Sequence, residues 1–217
     1  MRVAGLDDAG RGPIIGPLVI AGVLIDDSRI QELVSLGVRD SKLLSPSTRR
    51  RLEEKIKQIV ERYEYVQLTP DQIDLVVHKA KKLQRLNFLE AKAMAEVISR
   101  LKPEIAYVDA SDVLCERFAK HILENLSFQV RIVSEHHADR KYPVVSAASI
   151  LAKVRRDEEV AQLRTEYGDF GSGYVTDEKT ITFLEDWIEK HDSPPPIVRR
   201  SWKTLKRLQK NSGQTTL

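Results

Sequence analysis

Residues 2–25 read RVAGLDDAGRGPIIGPLVIAGVLI, and this stretch decides the fold class. Residues 2–6 have the short apolar run of a buried strand, and residues 14–25, rich in isoleucine and valine, predict a second strand. The connection between them, residues 7–13, opens with two aspartates and contains two glycines and a proline, which favour a tight turn. The chain therefore begins with two neighbouring strands and places acidic side chains where the first one ends.

Helix and strand patterns alternate through the middle of the chain, which predicts an α/β domain. Residue 169 begins the stretch Asp-Phe-Gly-Ser-Gly, after which the pattern is helical only, with a basic helix at the end. We therefore divide the chain into a main domain, residues 1–169, and a small helical extension, residues 170–217. The expected helices span 45–60, 86–101, 112–126, 143–166 and 177–190, and a further short helix is expected to begin at Thr69-Pro70. The expected later strands span 63–68, 105–108 and 128–133.

Composition indicates a globular protein with a charged surface. Hydrophobic residues make up 41% of the 217 residues and charged residues 31%. The single cysteine, Cys115, excludes an internal disulfide framework and is typical of a reducing compartment. The N-terminus has acids where a signal peptide is apolar, and the longest apolar stretch, Pro13–Ile25, is too short to span a bilayer. We expect a soluble, cytoplasmic monomer without membrane contact.

Positive charge is concentrated at the C-terminus. The net charge is +3, and residues 197–217 carry no acid, so removing their six cations leaves −3 for the first 196 residues. A cationic tail suggests a polyanionic partner, although a solvated helix face explains the same pattern equally well. The six cations are Arg199, Arg200, Lys203, Lys206, Arg207 and Lys210.

Three aspartates stand at or just past the ends of predicted strands. Asp7 ends the first strand, Asp109 ends the strand 105–108, and Asp139 follows the strand 128–133 by a few residues. Ligands of open α/β sheets bind beyond the carboxyl ends of the strands, so these acids could meet in one cleft. A single aspartate is more often a cap or a turn residue. Asp8 can join Asp7 only if the strand stops or twists between them.

Clustered carboxylates repel one another unless a cation neutralises them. Oxygen ligands of this kind suit Mg²⁺ or Mn²⁺. Two such ions can activate water and stabilise the leaving oxygen during phosphodiester cleavage. The acidic cluster therefore predicts a metal-dependent nuclease.

The glycine-rich run Gly5 to Gly12 has the spacing of a phosphate loop but lacks its Lys-Ser/Thr pair. Its glycines could let backbone amides approach a sugar or phosphate, the alternative being an ordinary tight turn. Lys42 could contact a phosphate or be merely solvated. Tyr174, after a Gly-Ser-Gly hinge, could stack on a base or pack in the core. His136 is a possible neighbour of the site.

Together these motifs resemble the ribonuclease HII family. The family opens with Asp-Glu-Ala-Gly-Arg-Gly after a strand, and residues 7–12 read Asp-Asp-Ala-Gly-Arg-Gly. The motifs occur in the family's order through most of the chain, and the Glu-His-x-Ala-Asp form looks archaeal. The further matches are Asp40-Ser41-Lys42, Tyr107-Val108-Asp109, Glu135-His136-His137-Ala138-Asp139, Ala147 to Val154 and Gly171-Ser172-Gly173-Tyr174.

The resemblance implies a ribonuclease H-like mixed sheet flanked by helices, with a substrate-binding C-terminal extension. It implies Mg²⁺- or Mn²⁺-dependent cleavage of RNA in RNA–DNA hybrids, and 5′ to ribonucleotides embedded in duplex DNA, leaving 3′-hydroxyl and 5′-phosphate ends. By motif, Asp7, Asp8, Asp109 and Asp139 take the catalytic, metal-binding positions. Gly10, Arg11 and Gly12 match the segment that senses the 2′-hydroxyl, Tyr174 the tyrosine at the RNA–DNA junction, and Lys42 a phosphate-contacting lysine.

Asp8 departs from the family, which has glutamate at this position. Aspartate keeps the charge but is one methylene shorter, so activity, metal affinity or metal preference could be altered. A 3′–5′ exonuclease, which also uses four acids, is one alternative function. A non-catalytic nucleic-acid-binding module with a basic tail is a second, and a small-molecule phosphate enzyme is disfavoured because no nucleotide-binding loop is intact.

Overall fold

A five-stranded mixed sheet forms the centre of the molecule. The computed structural model describes residues 1–38, 44–77, 82–191 and 193–214. The strand order is β3-β2-β1-β4-β5, with β1–β2 and β2–β3 antiparallel and β1–β4 and β4–β5 parallel. The carboxyl ends of β1, β4 and β5 therefore lie at one edge of the sheet. The strands are β1 Arg2–Ala9, β2 Leu18–Asp26, β3 Arg62–Leu68, β4 Ile105–Asp109 and β5 Arg131–Glu135.

Helices cover both faces of this sheet, which confirms the α/β architecture expected from the sequence. The short helices α1 and α6 were not expected, and α1 follows a 3-10 turn at Asp27–Arg29. Ser45 caps α2 as the sequence suggests, since its hydroxyl accepts a hydrogen bond from Thr48 N. The helices are α1 Ile30–Ser35, α2 Pro46–Ile59, α3 Pro70–Val77, α4 Lys82–Leu101, α5 Cys115–Leu123, α6 Ala138–Lys141, α7 Pro143–Tyr167, α8 Glu178–Lys190 and α9 Lys203–Gln214.

The first two strands differ from their predicted bounds. β1 continues through both aspartates to Ala9, and β2 begins at Leu18 rather than at Ile14. Ile14 and Ile15 are fully buried outside the sheet, and their amides both donate to the carbonyl of Gly173. The apolar run was therefore misread as one strand because its first part contributes to a different core.

Two other boundaries also moved. α5 begins at Cys115 rather than at residue 112, because Asp112 makes a turn by accepting a hydrogen bond from Leu114 N. β5 begins at Arg131 rather than at residue 128. Neither change affects Asp109, which is still the last residue of β4, a strand that pairs with β5 in parallel.

Helix α7 packs directly onto β1. A side chain at Gly5 would collide with the backbone of Val144 and Val145, so only glycine permits this approach. The first half of α7 is buried against the sheet and consists largely of small and aliphatic residues. This packing fixes Ser149 and Lys153 of α7 beside the carboxyl end of β1.

Three apolar clusters form the core. One lies between the sheet and helices α3, α4 and α5, and another between the sheet and helices α1, α2 and α7. The third joins Ile14 and Ile15 to Val160 of α7 and to residues of α8 and α9. The region after residue 170 therefore packs on the loop that follows β1. None of the helices within the described ranges is long and apolar enough to cross a membrane.

Candidate active site

Asp7 and Asp8 lie within β1, so the strand does not stop between them. Asp7 pairs with Ala21 and Asp8 with Ile20 of β2, so their side chains leave the strand on opposite faces. Asp7 is only 6% exposed. The two are still linked, because the amide of Asp8 donates to Oδ1 of Asp7 at 2.7 Å.

Asp109 and Asp139 come together through one short segment. Asp109 is the last residue of β4, and its Oδ1 accepts a hydrogen bond of 2.9 Å from the amide of Ala138. Asp139 follows in α6 and is 3% exposed. His137, with a left-handed backbone at φ 56°, begins this helix. His136 is exposed, and its ring contacts the backbone carbonyl of Val113 rather than an acid of the cluster.

The acids influence one another's ionisation. Burial raises the pKa of Asp7 well above its usual value, and the charges of Asp8 and Asp109 raise it further. Burial also raises the pKa of Asp8, although Arg11, Ser111 and Lys153 oppose that shift. The structure therefore concentrates negative charge in a low-dielectric place, where a cation would be stabilised.

The donor set fits a hard divalent cation. Within the described part of the chain, no three His, Cys, Asp or Glu side chains are arranged to hold a metal ion as they stand. Three of the carboxylates instead accept from protein donors: Asp109 from Ala138, Asp7 from the amide of Asp8, and Asp8 from Ser111 at 3.1 Å. Each of these hydrogen bonds occupies one carboxylate oxygen, and the remaining lone pairs can still ligate an ion.

A groove of about 690 Å³ opens beside Asp8. Arg156 in its wall is 7% exposed, and its Nε and Nη2 are buried without a hydrogen-bond partner among the described residues. The guanidinium lies 5.4 Å from the ring centre of Tyr174, which is itself 41% exposed. The lining is strongly basic and includes Gly10, Arg11, Gly12, Arg49, Arg50, Lys153, Arg156, Asp157, Arg164 and Tyr174.

Arg199 holds the loop that follows β1. The cationic tail suggested either a polyanionic partner or a solvated helix face, but Arg199 is fully buried and donates to backbone carbonyls. Its guanidinium reaches the carbonyls of Gly16 and Arg11, each at 3.0 Å, and of Gly10 at 2.5 Å. Trp202 adds a hydrogen bond of 3.0 Å to the carbonyl of Gly12. Arg199 is thus a structural residue of the glycine-rich loop, which its place in a basic run did not reveal.

Helix α4 supplies two polar residues that the sequence reasoning missed. Glu90 is fully buried and pairs with Nη1 of Arg11, and Asn87 accepts from Nη2 of Arg11 at 2.7 Å. Burial raises the pKa of Glu90 to about 8, Asp8 adds to the shift, and Arg11 opposes it. Asn87 and Glu90 are three residues apart, beside the apolar stripe of the helix, and this spacing could have indicated that they share one face.

Comparison with known proteins now decides the family. The sequence model of Ribonuclease HII matches residues 4–205. The chain belongs to the ribonuclease HII family. Ribonuclease HII of Pyrococcus abyssi is 47% identical over 217 residues, a match that covers 100% of this chain and 95% of the relative. Ribonuclease HII of Thermococcus sibiricus is 48% identical over 223 residues, covering 100% and 97% respectively.

The fold agrees with solved ribonuclease H structures. The crystal structure of the ribonuclease H2 from Pyrococcus horikoshii superposes with a TM-score of 0.89 at 43% identity, covering 97% of this chain and 98% of that one. The family and the ribonuclease H-like fold are therefore confirmed. Membership of the family also confirms the expected activity class, a ribonuclease H endonuclease that depends on a divalent metal ion. The roles of Asp7, Asp8, Asp109, Asp139, Gly10, Arg11, Gly12 and Tyr174 stay predictions, and Lys42 lies outside the described residues.

Proposed function

We propose that this ribonuclease HII hydrolyses the RNA strand of RNA–DNA hybrids and cuts 5′ to single ribonucleotides embedded in duplex DNA. One observation carries the proposal: a buried carboxylate cluster, in which Asp8 and Asp109 raise the pKa of Asp7, adjoins a basic groove that begins at Asp8. The acids suit a divalent cation and the groove suits a polyanion. Together they suit hydrolysis of a phosphodiester.

Four aspartates take different parts in the proposed site. Asp7 and Asp109 would hold two divalent ions, Asp139 would help to hold the ion on the side of the attacking water, and Asp8 would assist from the edge. Mg²⁺ or Mn²⁺ held there would supply an activated water and stabilise the leaving oxygen, and hydrolysis would leave 3′-hydroxyl and 5′-phosphate ends. Ser149 supports the ionised form of Asp7 by hydrogen bonding, so this serine helps to keep the carboxylate ready for the ion.

The backbone of the Gly10-Arg11-Gly12 loop supports recognition of the 2′-hydroxyl. Arg199 binds the carbonyls of Gly10 and Arg11. In a trans peptide the carbonyl and the following N–H point in opposite directions, and cis bonds are absent from the described residues. The amides of Arg11 and Gly12 are therefore directed away from Arg199 and can serve as donors to a ribose.

Arg156 and Tyr174 support binding of the nucleic acid itself. A buried guanidinium with unsatisfied nitrogens is costly unless a ligand completes its hydrogen bonds, and phosphate oxygens do so well. Tyr174 presents a partly exposed ring at the same wall, where a sugar or base can stack. We propose that residues 170–217 act as the substrate-binding extension, with Lys203, Lys206 and Arg207 exposed on α9 for phosphate contacts.

The test uses a labelled DNA duplex with one ribonucleotide, incubated with Mg²⁺ or with Mn²⁺. An all-DNA duplex of the same sequence is the control substrate, and Asp8→Glu is the matched variant, because it restores the family's side-chain length. We expect a single cut 5′ to the ribonucleotide, none in the control, and faster cutting by Asp8→Glu.

The products also separate the alternatives. A 3′–5′ exonuclease would give a ladder from end-labelled single-stranded DNA, and a non-catalytic binding module would retard the duplex without cutting it. If neither ion supports a cut but Asp8→Glu does, Asp8 has weakened an otherwise intact site. Inactivity of both proteins with both ions would refute the proposed function.

A further inference from the structure

Arg11 lies between two carboxylates, and the structure pairs it with one of them. Its guanidinium pairs with Glu90 and donates to Asn87, and its side chain remains 28% exposed. The same cation lowers the pKa of Asp8, so it is also close to that carboxylate. Asp8 takes its side-chain hydrogen bond from Ser111 instead, at 3.1 Å. Two anions therefore compete for one arginine, and Glu90 is the one that holds it.

The position of Glu90 is unfavourable for the stability of the fold. It is fully buried on α4, and desolvation of a carboxylate opposes folding unless a partner compensates for it. Arginine forms its strongest pairs with carboxylates, so an unrestrained Arg11 would turn to the next anion within reach. That anion is Asp8, whose pKa responds to both Arg11 and Lys153.

We propose that Glu90, together with Asn87, is a positioning residue that holds Arg11 away from Asp8 and so leaves the Asp8 carboxylate available to a divalent ion. The inference rests on the proposed function, because it takes Asp8 to be part of the ion site. Asn87 strengthens the arrangement by fixing the second guanidinium nitrogen, and it also hydrogen-bonds Asp112 in the loop after β4. The loops that carry Arg11 and Ser111 are thereby tied to one helix.

The experiment measures Mg²⁺ binding by calorimetry to the full chain at pH 8.5, where the Glu90 carboxyl is ionised. Glu90→Gln keeps the size of the side chain and removes its charge. Glu96→Gln is the matched control, because Glu96 lies on the same helix and also pairs with an arginine, Arg100, at the surface. We expect Glu90→Gln to weaken Mg²⁺ binding roughly tenfold, the usual effect of losing a residue that orients a ligand, and Glu96→Gln to bind as the unaltered chain does.

A double-mutant cycle with Arg11→Ala separates positioning from a simple loss of negative charge. If Glu90 acts through Arg11, Glu90→Gln has no further effect on Mg²⁺ binding once Arg11 is alanine. If it acts at long range through its charge, the weakening is the same in both backgrounds, which would overturn the proposal. An unchanged Mg²⁺ affinity in Glu90→Gln would overturn it as well.

Folding and function are controlled separately. Thermal melting identifies a misfolded variant. If Glu90→Gln is misfolded, Glu90→Asp replaces it, and we expect an intermediate weakening of Mg²⁺ binding. An unchanged Mg²⁺ affinity in Glu90→Asp would contradict the proposal. Cleavage of the single-ribonucleotide duplex by the unaltered chain reports on the proposed function alone. If the chain cuts but the cycle shows no coupling, only the positioning role fails. If it binds Mg²⁺ with the expected coupling and does not cut, only the proposed function fails.

Discussion

Two buried charged regions of this molecule differ in the neighbours that offset their burial, because Asp74 and Glu90 oppose the burial that lowers the pKa of Arg199 to about 9. In the C-terminal turn, residues 199–202, Arg199 donates to three carbonyls, and Asp74 accepts from the amides of Arg200 and Ser201 at 2.7 and 2.9 Å. In the carboxylate cluster, defined as Asp7, Asp8, Asp109 and Asp139, burial and two like charges raise the pKa of Asp7.

The difference separates structure from chemistry. A buried charge whose partners are all supplied by the chain stabilises a conformation, here that of the glycine-rich loop. A buried charge that its neighbours destabilise is typical of a ligand-binding site, where the bound ligand neutralises the charge. Such a charge lowers the stability of the ligand-free protein. Changes in the two regions should therefore move activity and stability in different directions.

The largest expected effect is on cleavage by Asp7→Asn. Removing a carboxylate that holds the ions should lower the cleavage rate roughly a thousandfold, equivalent to about 4 kcal/mol of transition-state stabilisation. Single-turnover cleavage of the single-ribonucleotide duplex measures this rate, with Asp186→Asn on the exposed face of α8 as the control. A loss of less than about tenfold would place Asp7 outside the catalytic site.

Arg199→Ala should have the next largest effect, and on stability. It leaves three carbonyls without their donor, which costs about 3 kcal/mol, or roughly 6–12 °C in Tm for a chain of this length. Urea unfolding measures the change, with the exposed neighbour Arg200→Ala as the control. Equal stability of the two variants would contradict the role given to Arg199.

Asp7→Asn should also stabilise the ion-free protein, by about 0.5–2 kcal/mol. Because the pKa of Asp7 is raised by folding, the unfolded chain releases this proton first as pH rises above about 4, and the folded state then loses stability up to its own pKa. The stability advantage of the Asp7→Asn variant over the unaltered chain should therefore grow with pH above that value. Unfolding curves in chelator at several pH values test the sign; a variant that is less stable at neutral pH would contradict it.

The smallest expected effect comes from the surface of α9. Lys203→Gln with Lys206→Gln should reduce the slope of log affinity against log salt by about 1–2, because each lost phosphate contact removes about 0.9. Filter binding to the duplex from about 50 to 200 mM salt measures the slope, with Lys120→Gln on α5 as the control. An unchanged slope would mean that α9 does not touch the backbone of the nucleic acid.

The positions of site residues that follow strand ends could be predicted from the sequence. The positions of residues that are placed by tertiary contacts could not. Asp109 lies at the end of β4 as expected, because a short apolar run followed by an acid is a local signal. Asp7 and Asp8 fell inside β1, since pairing with β2 extends the strand beyond its apolar residues. The placement of Arg199 and Glu90 depends on contacts 183 and 79 residues away along the chain, which no local pattern carries.

A titration of the ion-free protein with Mn²⁺ tests the central claim most directly. The claim is that burial and like charges destabilise the carboxylate cluster until a cation binds. Calorimetry in two buffers of different ionisation enthalpy gives both the affinity and the number of protons released. We predict that Mn²⁺ binding releases protons in a series of pH values rising from about 4, because burial and like charges raise the pKa of Asp7 above its usual value, and that Asp7→Asn binds far more weakly and releases fewer. Equal affinity and equal proton release in the two proteins would contradict it.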